Sequence, residues 1–109
     1  MSTKLPLPIA AFVEATNSHN TAAVLATFTT NAVVTDEGLT YRGADEIREW
    51  HERSIKHYNV IIGVRNVVDR DGTTIITAQV VGTFDGSPAR LDFHFTIDGT
   101  RIAVLSISA

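Results

Sequence analysis

The sequence predicts an α+β domain in which three N-terminal helices pack against one antiparallel sheet. Apolar residues recur at helical spacing early in the chain and at a spacing of two from Tyr58 onward. In that later part Asp71-Gly72 and Asp98-Gly99 are two-residue hairpin signals, with Asp85-Gly86-Ser87-Pro88 as a longer turn between them.

Pro8 suits the first turn of a helix, where its missing N–H is not needed, and Ile9, Phe12, Val13 and Thr16 follow at i, i+3, i+4 and i+7. Asn17-Ser18-His19-Asn20 interrupts this helix. Asn20 is placed to cap a short second helix whose Val24, Leu25 and Phe28 form one apolar stripe, so the two make a helical hairpin. Ala32-Val33-Val34-Thr35 is a short β-branched strand ended by the turn residues Asp36-Glu37-Gly38, and Leu39-Thr40-Tyr41 is a small second strand. Residues 44–57 form the third and longest helix. Asp45 and Glu46 in its first turn and Lys56 and His57 in its last complement the helix dipole, and Ile47, Trp50, His51 and Ser54 share one side.

Four long antiparallel strands complete the chain. A tight Asp71-Gly72 turn pairs Val68 with Ile75, Val64 with Gln79 and Ile62 with Val81 on one face, and Val67 with Ile76 and Gly63 with Val80 on the other. Both faces are partly apolar. Three helices cover only one of them, so the other is expected to meet a second copy of the chain in a homodimer.

Composition bounds the function. The 109 residues, 44% hydrophobic and 19% charged, read as a single domain over 1–109 without repeats or low-complexity linkers. Such a chain buries somewhat less than ~70% of its unfolded surface, enough for one core and a modest pocket. Nine Lys and Arg against twelve Asp and Glu, interleaved, leave a net charge of −3 and no electrostatic basis for nucleic-acid binding. The absence of cysteine excludes disulfides, thiolate metal sites and cysteine nucleophiles, and fits a reducing compartment, with the cytoplasm as the expected location. Residues 5–13 follow Lys4 in the manner of a leader, but Pro6 and Pro8 interrupt them and Glu14 follows, so they read as mature protein. No apolar run approaches the ~20 residues needed to span a bilayer, so no membrane association is expected. His19, His51, His57 and His94 form no i, i+4 pair, and neither a phosphate-binding glycine loop nor a Gly-x-Ser-x-Gly elbow occurs. Neither metal nor cofactor is expected.

Helix, helix, short strand, third helix and meander together resemble the NTF2-like cone, and more narrowly its SnoaL-like branch of polyketide cyclases and ketosteroid isomerases. The resemblance is carried by residues 9–20, the Ala32-Val33-Val34-Thr35-Asp36 strand end, Tyr41-Arg42-Gly43 leading into Ile47 and Trp50, and Phe84-Asp85-Gly86-Ser87-Pro88. It implies a strongly curved sheet wrapped around the long helix, enclosing a cone-shaped apolar pocket that takes a small hydrophobic molecule. By that resemblance Phe12, Val13, Phe28, Trp50 and Ser54 look toward the cavity; the competing reading makes them packed core around a filled cone.

Asp36 is the first candidate for chemistry. A carboxylate at a strand end beside an apolar cavity is a better proton acceptor than one in water, and ketosteroid isomerases place their base after the first strand. The competing reading is that Asp36 shapes its own turn. The Asp98-Gly99 hairpin sets Phe93 and Phe95 opposite Val104 and Ile102, with Asp92 and His94 on the reverse face beside Leu105 and Ala103. Counting back from Ile102, Asp92 falls where those isomerases hold a protonated acid, and a shorter turn moves the match to His94; Arg90 on that face is placed to neutralise Asp92. The competing reading leaves Asp92 and His94 in a polar network at the interface or sheet edge. The isomerases' first-helix tyrosine corresponds to Phe12, which has no hydroxyl, and Tyr41, Tyr58 or His51 would have to replace that donor. Glu37 and His19 are expected to face solvent. Two functions therefore stand: acid–base catalysis on a small organic molecule, or a non-catalytic ligand-binding or dimerisation module.

Overall fold

The computed structural model describes residues 5–109, which form three helices and six strands: α1 (Leu7–Asn17), α2 (Thr21–Leu25), β1 (Phe28–Asp36), β2 (Leu39–Arg42), α3 (Gly43–Tyr58), β3 (Ile61–Arg70), β4 (Thr73–Val81), β5 (Ala89–Asp98) and β6 (Arg101–Ser108). Residues 1–4, including Lys4 of the leader-like stretch and the start of the expected domain, lie outside the described residues. Helix α1 starts at Leu7 with Pro8 in its first turn, and Asn20 caps α2 through its Oδ1, which accepts from the Ala23 N–H at 3.1 Å. Asp45 and Glu46 open α3, and Lys56 and His57 close it. Phe28 does not continue the stripe of α2. It opens β1, which is more than twice the length expected because Phe28 pairs with Ile102 before a bulge restores the ladder at Val33.

The strands form one curved sheet in the order β2-β1-β6-β5-β4-β3, with β1 and β6 parallel and every other pair antiparallel. Alternating burial assigns the faces. Ile76, Ala78, Val80, Phe93, Phe95 and Leu105 are buried beneath the helices, whereas Ile75, Thr77, Gln79, Asp92 and His94 alternate with them on the opposite, convex face. Phe12 links the layers: its ring meets Phe28 and Phe95 edge-on, with centroids 5.9 and 5.6 Å apart.

Two register expectations are corrected. Asp71 and Gly72 both take positive φ, and the expected pairs Val68–Ile75 and Val67–Ile76 form. Beyond them an irregularity between Val64 and Asn66 shifts the ladder, so Ile62 faces Val80, Gly63 faces Gln79 and Val64 faces Ala78. At the second hairpin the strands extend to the Asp98–Arg101 pair, so the loop is Gly99-Thr100, and a further bulge sets Phe95 opposite Leu105 and Phe93 opposite Ile107. Asp92 and His94 consequently pair with Ser108 and Ser106, not beside Leu105 and Ala103.

No helix of the described residues is long and apolar enough to cross a membrane.

Candidate functional site

Between the concave side of the sheet and the helices lies a mostly apolar cavity of about 70 Å³. Helix α1 contributes Phe12 and Thr16, while α3 contributes Trp50, His51 and Ser54 on successive turns of one face. Val60, Ile62, Val80, Leu91, Phe93 and Ile107 form the strand wall, and Asp36 stands at the end of β1. Asp36, Trp50, Ser54, Val60, Val80 and Leu91 also border an outer mouth of about 230 Å³, completed by Glu37, Leu39, Tyr41, Arg53, Tyr58 and Phe84. The inner chamber and its mouth thus share the carboxylate.

Asp36 is held in place. Its Oδ2 accepts from the Trp50 indole N–H at 3.0 Å, tying the strand end to the middle of α3. This bond fixes which side of the carboxylate faces the indole, and Trp50, 6% exposed, is itself fixed by packing. The Ser54 hydroxyl donates to the Trp50 carbonyl at 3.0 Å within the helix. Arg53 Nη1 donates to the Tyr41 hydroxyl at 3.3 Å in the mouth.

His51 is the second polar group in the chamber wall. It is 1% exposed, with Nδ1 hydrogen-bonded to Thr21 Oγ1 at 2.9 Å and Nε2 to Thr16 Oγ1 at 3.2 Å. Burial lowers its pKa from 6.5 to about 4, with repulsion from His19 adding to the effect, so the ring is neutral near pH 7. His19 is exposed, and its Nε2 lies 3.2 Å from the Val60 carbonyl, to which it donates.

The expected residues sort unevenly. Phe12, Asp36, Trp50, His51 and Ser54 meet around the chamber, and Tyr41 borders the mouth. Phe28 and Val13 are not in the wall; Phe28 packs in the core against Phe12, and Val13 is a partly buried neighbour of that core. Asp92 and His94 are a correction of larger consequence. The concave face is taken by Phe93 and Phe95, so neither polar residue lines the cavity. Asp92 accepts from the Thr77 hydroxyl at 2.8 Å on the convex face, in place of the expected pairing with Arg90. Thr16, Thr21, Leu91 and Ile107 escaped sequence reasoning. Thr16 carried a legible signal as a hydroxyl on the apolar stripe of α1, whereas Thr21 and the strand residues are brought in by tertiary packing alone. Among the described residues no three His, Cys, Asp or Glu side chains gather as metal ligands.

A model of the SnoaL-like domain family matches residues 9–105. A Sinorhizobium meliloti protein assigned as a polyketide cyclase is 32% identical, with 95% of each chain covered and a TM-score of 0.92. A ketosteroid isomerase-like fold protein from Catenulispora acidiphila, solved with trimethylamine, superposes with a TM-score of 0.85 at 19% identity, over 97% of this chain and 87% of that one. An epoxide hydrolase/cyclase-like enzyme of pyran ring formation in salinomycin superposes at 0.79 with 17% identity, over 93% and 86% of the two chains. No curated protein sequence is significantly similar.

Proposed function

The chain belongs to the SnoaL-like domain family, and from that membership we propose that it binds a small apolar organic molecule and acts on it by acid–base chemistry without a cofactor. Asp36 is the general base. The observation that carries this reading is a single carboxylate, held by an indole N–H, at the junction of an apolar chamber and its open mouth. Apolar walls keep water from the reacting atoms, and the chamber continues into its mouth past Asp36, so a bound molecule reaches across both spaces. Isomerisation, aldol-type ring closure and epoxide opening all need a proton moved at one carbon or oxygen, which one positioned carboxylate supplies.

The neighbours support the reading as far as their own descriptions go: one is assigned as a polyketide cyclase and another is epoxide hydrolase/cyclase-like. A second reading, binding without turnover, is favoured by two observations. Phe12 brings no hydroxyl, and Asp92 and His94 lie outside the chamber.

A screen of small cyclic ketones and epoxides separates the two. Ligands that fill the chamber raise the melting temperature of both wild type and Asp36→Asn by linkage, and only wild type converts them. Binding with equal lack of turnover in both chains supports the second reading; no ligand for either chain sinks both.

The proposal extends to assembly. The convex face exposes Ile61, Val68, Val81 and Val104, each 38–41% exposed, and we propose that it pairs with a second copy of the chain.

A further inference from the structure

We propose that Thr16, His51 and Thr21 form a proton relay that runs through the helical wall from a surface groove to the inner chamber. The relay deepens the acid–base reading of Asp36 and rests on it. Each of its members comes from a different helix, so the path exists only in the folded chain. Thr16, 2% exposed, lines the chamber. Thr21 is half-buried and lines a separate groove on the outer side of α3, together with Glu52, Arg53 and Lys56. Between them stands His51, with one ring nitrogen on each hydroxyl, at 3.2 and 2.9 Å.

The chemistry of the three groups suits transfer. A neutral imidazole has one N–H donor and one bare acceptor, and each threonine hydroxyl both donates and accepts. With Nε2 protonated, Nε2–H donates to Thr16, Thr16 is free to donate into the chamber, and Nδ1 accepts from Thr21. A packing role needs neither the two hydroxyls nor the opening of the chain's two ends onto separate spaces.

The step balances. As Asp36 takes a proton from a carbon of the bound molecule, an oxygen conjugated to that carbon gains the electron pair. Thr16 gives its hydroxyl proton to that oxygen, breaking one O–H bond and forming another. The Nε2 proton of His51 moves to the Thr16 oxygen, the Thr21 proton moves to Nδ1, and water or a buffer acid in the groove resupplies Thr21. His51 changes tautomer and stays neutral throughout, and no electron leaves or enters the system.

The test uses the whole chain with histidine labelled at its ring nitrogens and followed by NMR. Exchange of the His51 ring N–H with water is expected to slow about tenfold or more in Thr21→Val and to be retained in Thr21→Ser. β-Naphthol, which carries an enol-like hydroxyl, is expected to shift the His51 ring nitrogens where naphthalene does not, with the Trp50 indole N–H reporting that both are bound. Thr16→Val removes that difference. Exchange as fast in Thr21→Val as in wild type overturns the relay whatever the probes do, and so do equal His51 responses to the two bound probes. Failure of the Asp36 reading shows separately, as turnover of a bound ketone that Asp36→Asn leaves unchanged.

Discussion

At the scale of single residues, His51 ties stability to pH. Its folded-state pKa of about 4 lies below the ordinary 6.5, so between those values the unfolded chain binds the proton and the folded chain does not. Stability contributed by the neutral ring is therefore complete above about pH 6.5 and falls as pH is lowered toward 4. The loss from this group alone is about 1–3 kcal/mol. Denaturant unfolding of wild type and His51→Gln from neutral to mildly acidic pH checks it: the wild-type curve is expected to drop more steeply, and parallel curves would contradict the assignment. Asp36, Trp50, His51 and Ser54 were legible because helical spacing places the last three on one face and a strand end precedes the helix. Asp92 and His94 misled for a related reason. Strand alternation separates two faces without saying which one the helices cover, and the larger apolar pair, Phe93 and Phe95, claims the covered side.

Among the elements, the junction of α1 and β3 rests on one side chain. Asn17 Oδ1 accepts from the Ile62 N–H at 2.7 Å and its Nδ2 donates to the Ile62 carbonyl at 2.9 Å, so the end of α1 completes the ladder of an edge strand. Ile62 and Thr16, the residue before Asn17, both line the chamber, so this clamp joins two parts of its wall. Asn17→Ala is expected to cost about 1–3 kcal/mol by leaving partly buried backbone groups unpaired, read as a lower denaturation midpoint. A change within a few tenths would show the clamp to be dispensable. The C-terminal end of α3 is closed differently. The Thr83 N–H donates to the Tyr58 carbonyl at 2.7 Å, and a Cβ at Gly82 would collide with that same oxygen, so only glycine permits this approach. Helix ends and hairpin turns were readable from caps, prolines and Asp-Gly pairs. The Asn17 clamp, the bulges near Arg65 and Ala103 and the early start of β1 were not, because each depends on a partner remote in sequence.

At the scale of the whole molecule, the curved sheet has one face covered by helices and one that is not. The α+β class and the three-helix, meander order followed from the change of period along the chain, whereas the parallel pairing of β1 with β6 has no local signal. Val104→Lys combined with Val68→Lys places charges on two strands of the proposed interface, inner β6 and edge β3. Sedimentation is expected to show a wild-type dimer and a folded monomer for the double variant, and a monomeric wild type would end that proposal. The covered face makes the chamber, and the account stands on what its one carboxylate does there. The most direct measurement is deuterium uptake from heavy water into cyclohexenone, followed by NMR with wild-type and Asp36→Asn protein. Uptake faster than buffer with wild type, reduced at least about a hundredfold by the substitution while the ketone still binds, is the predicted result. Equal uptake by the two proteins would contradict it.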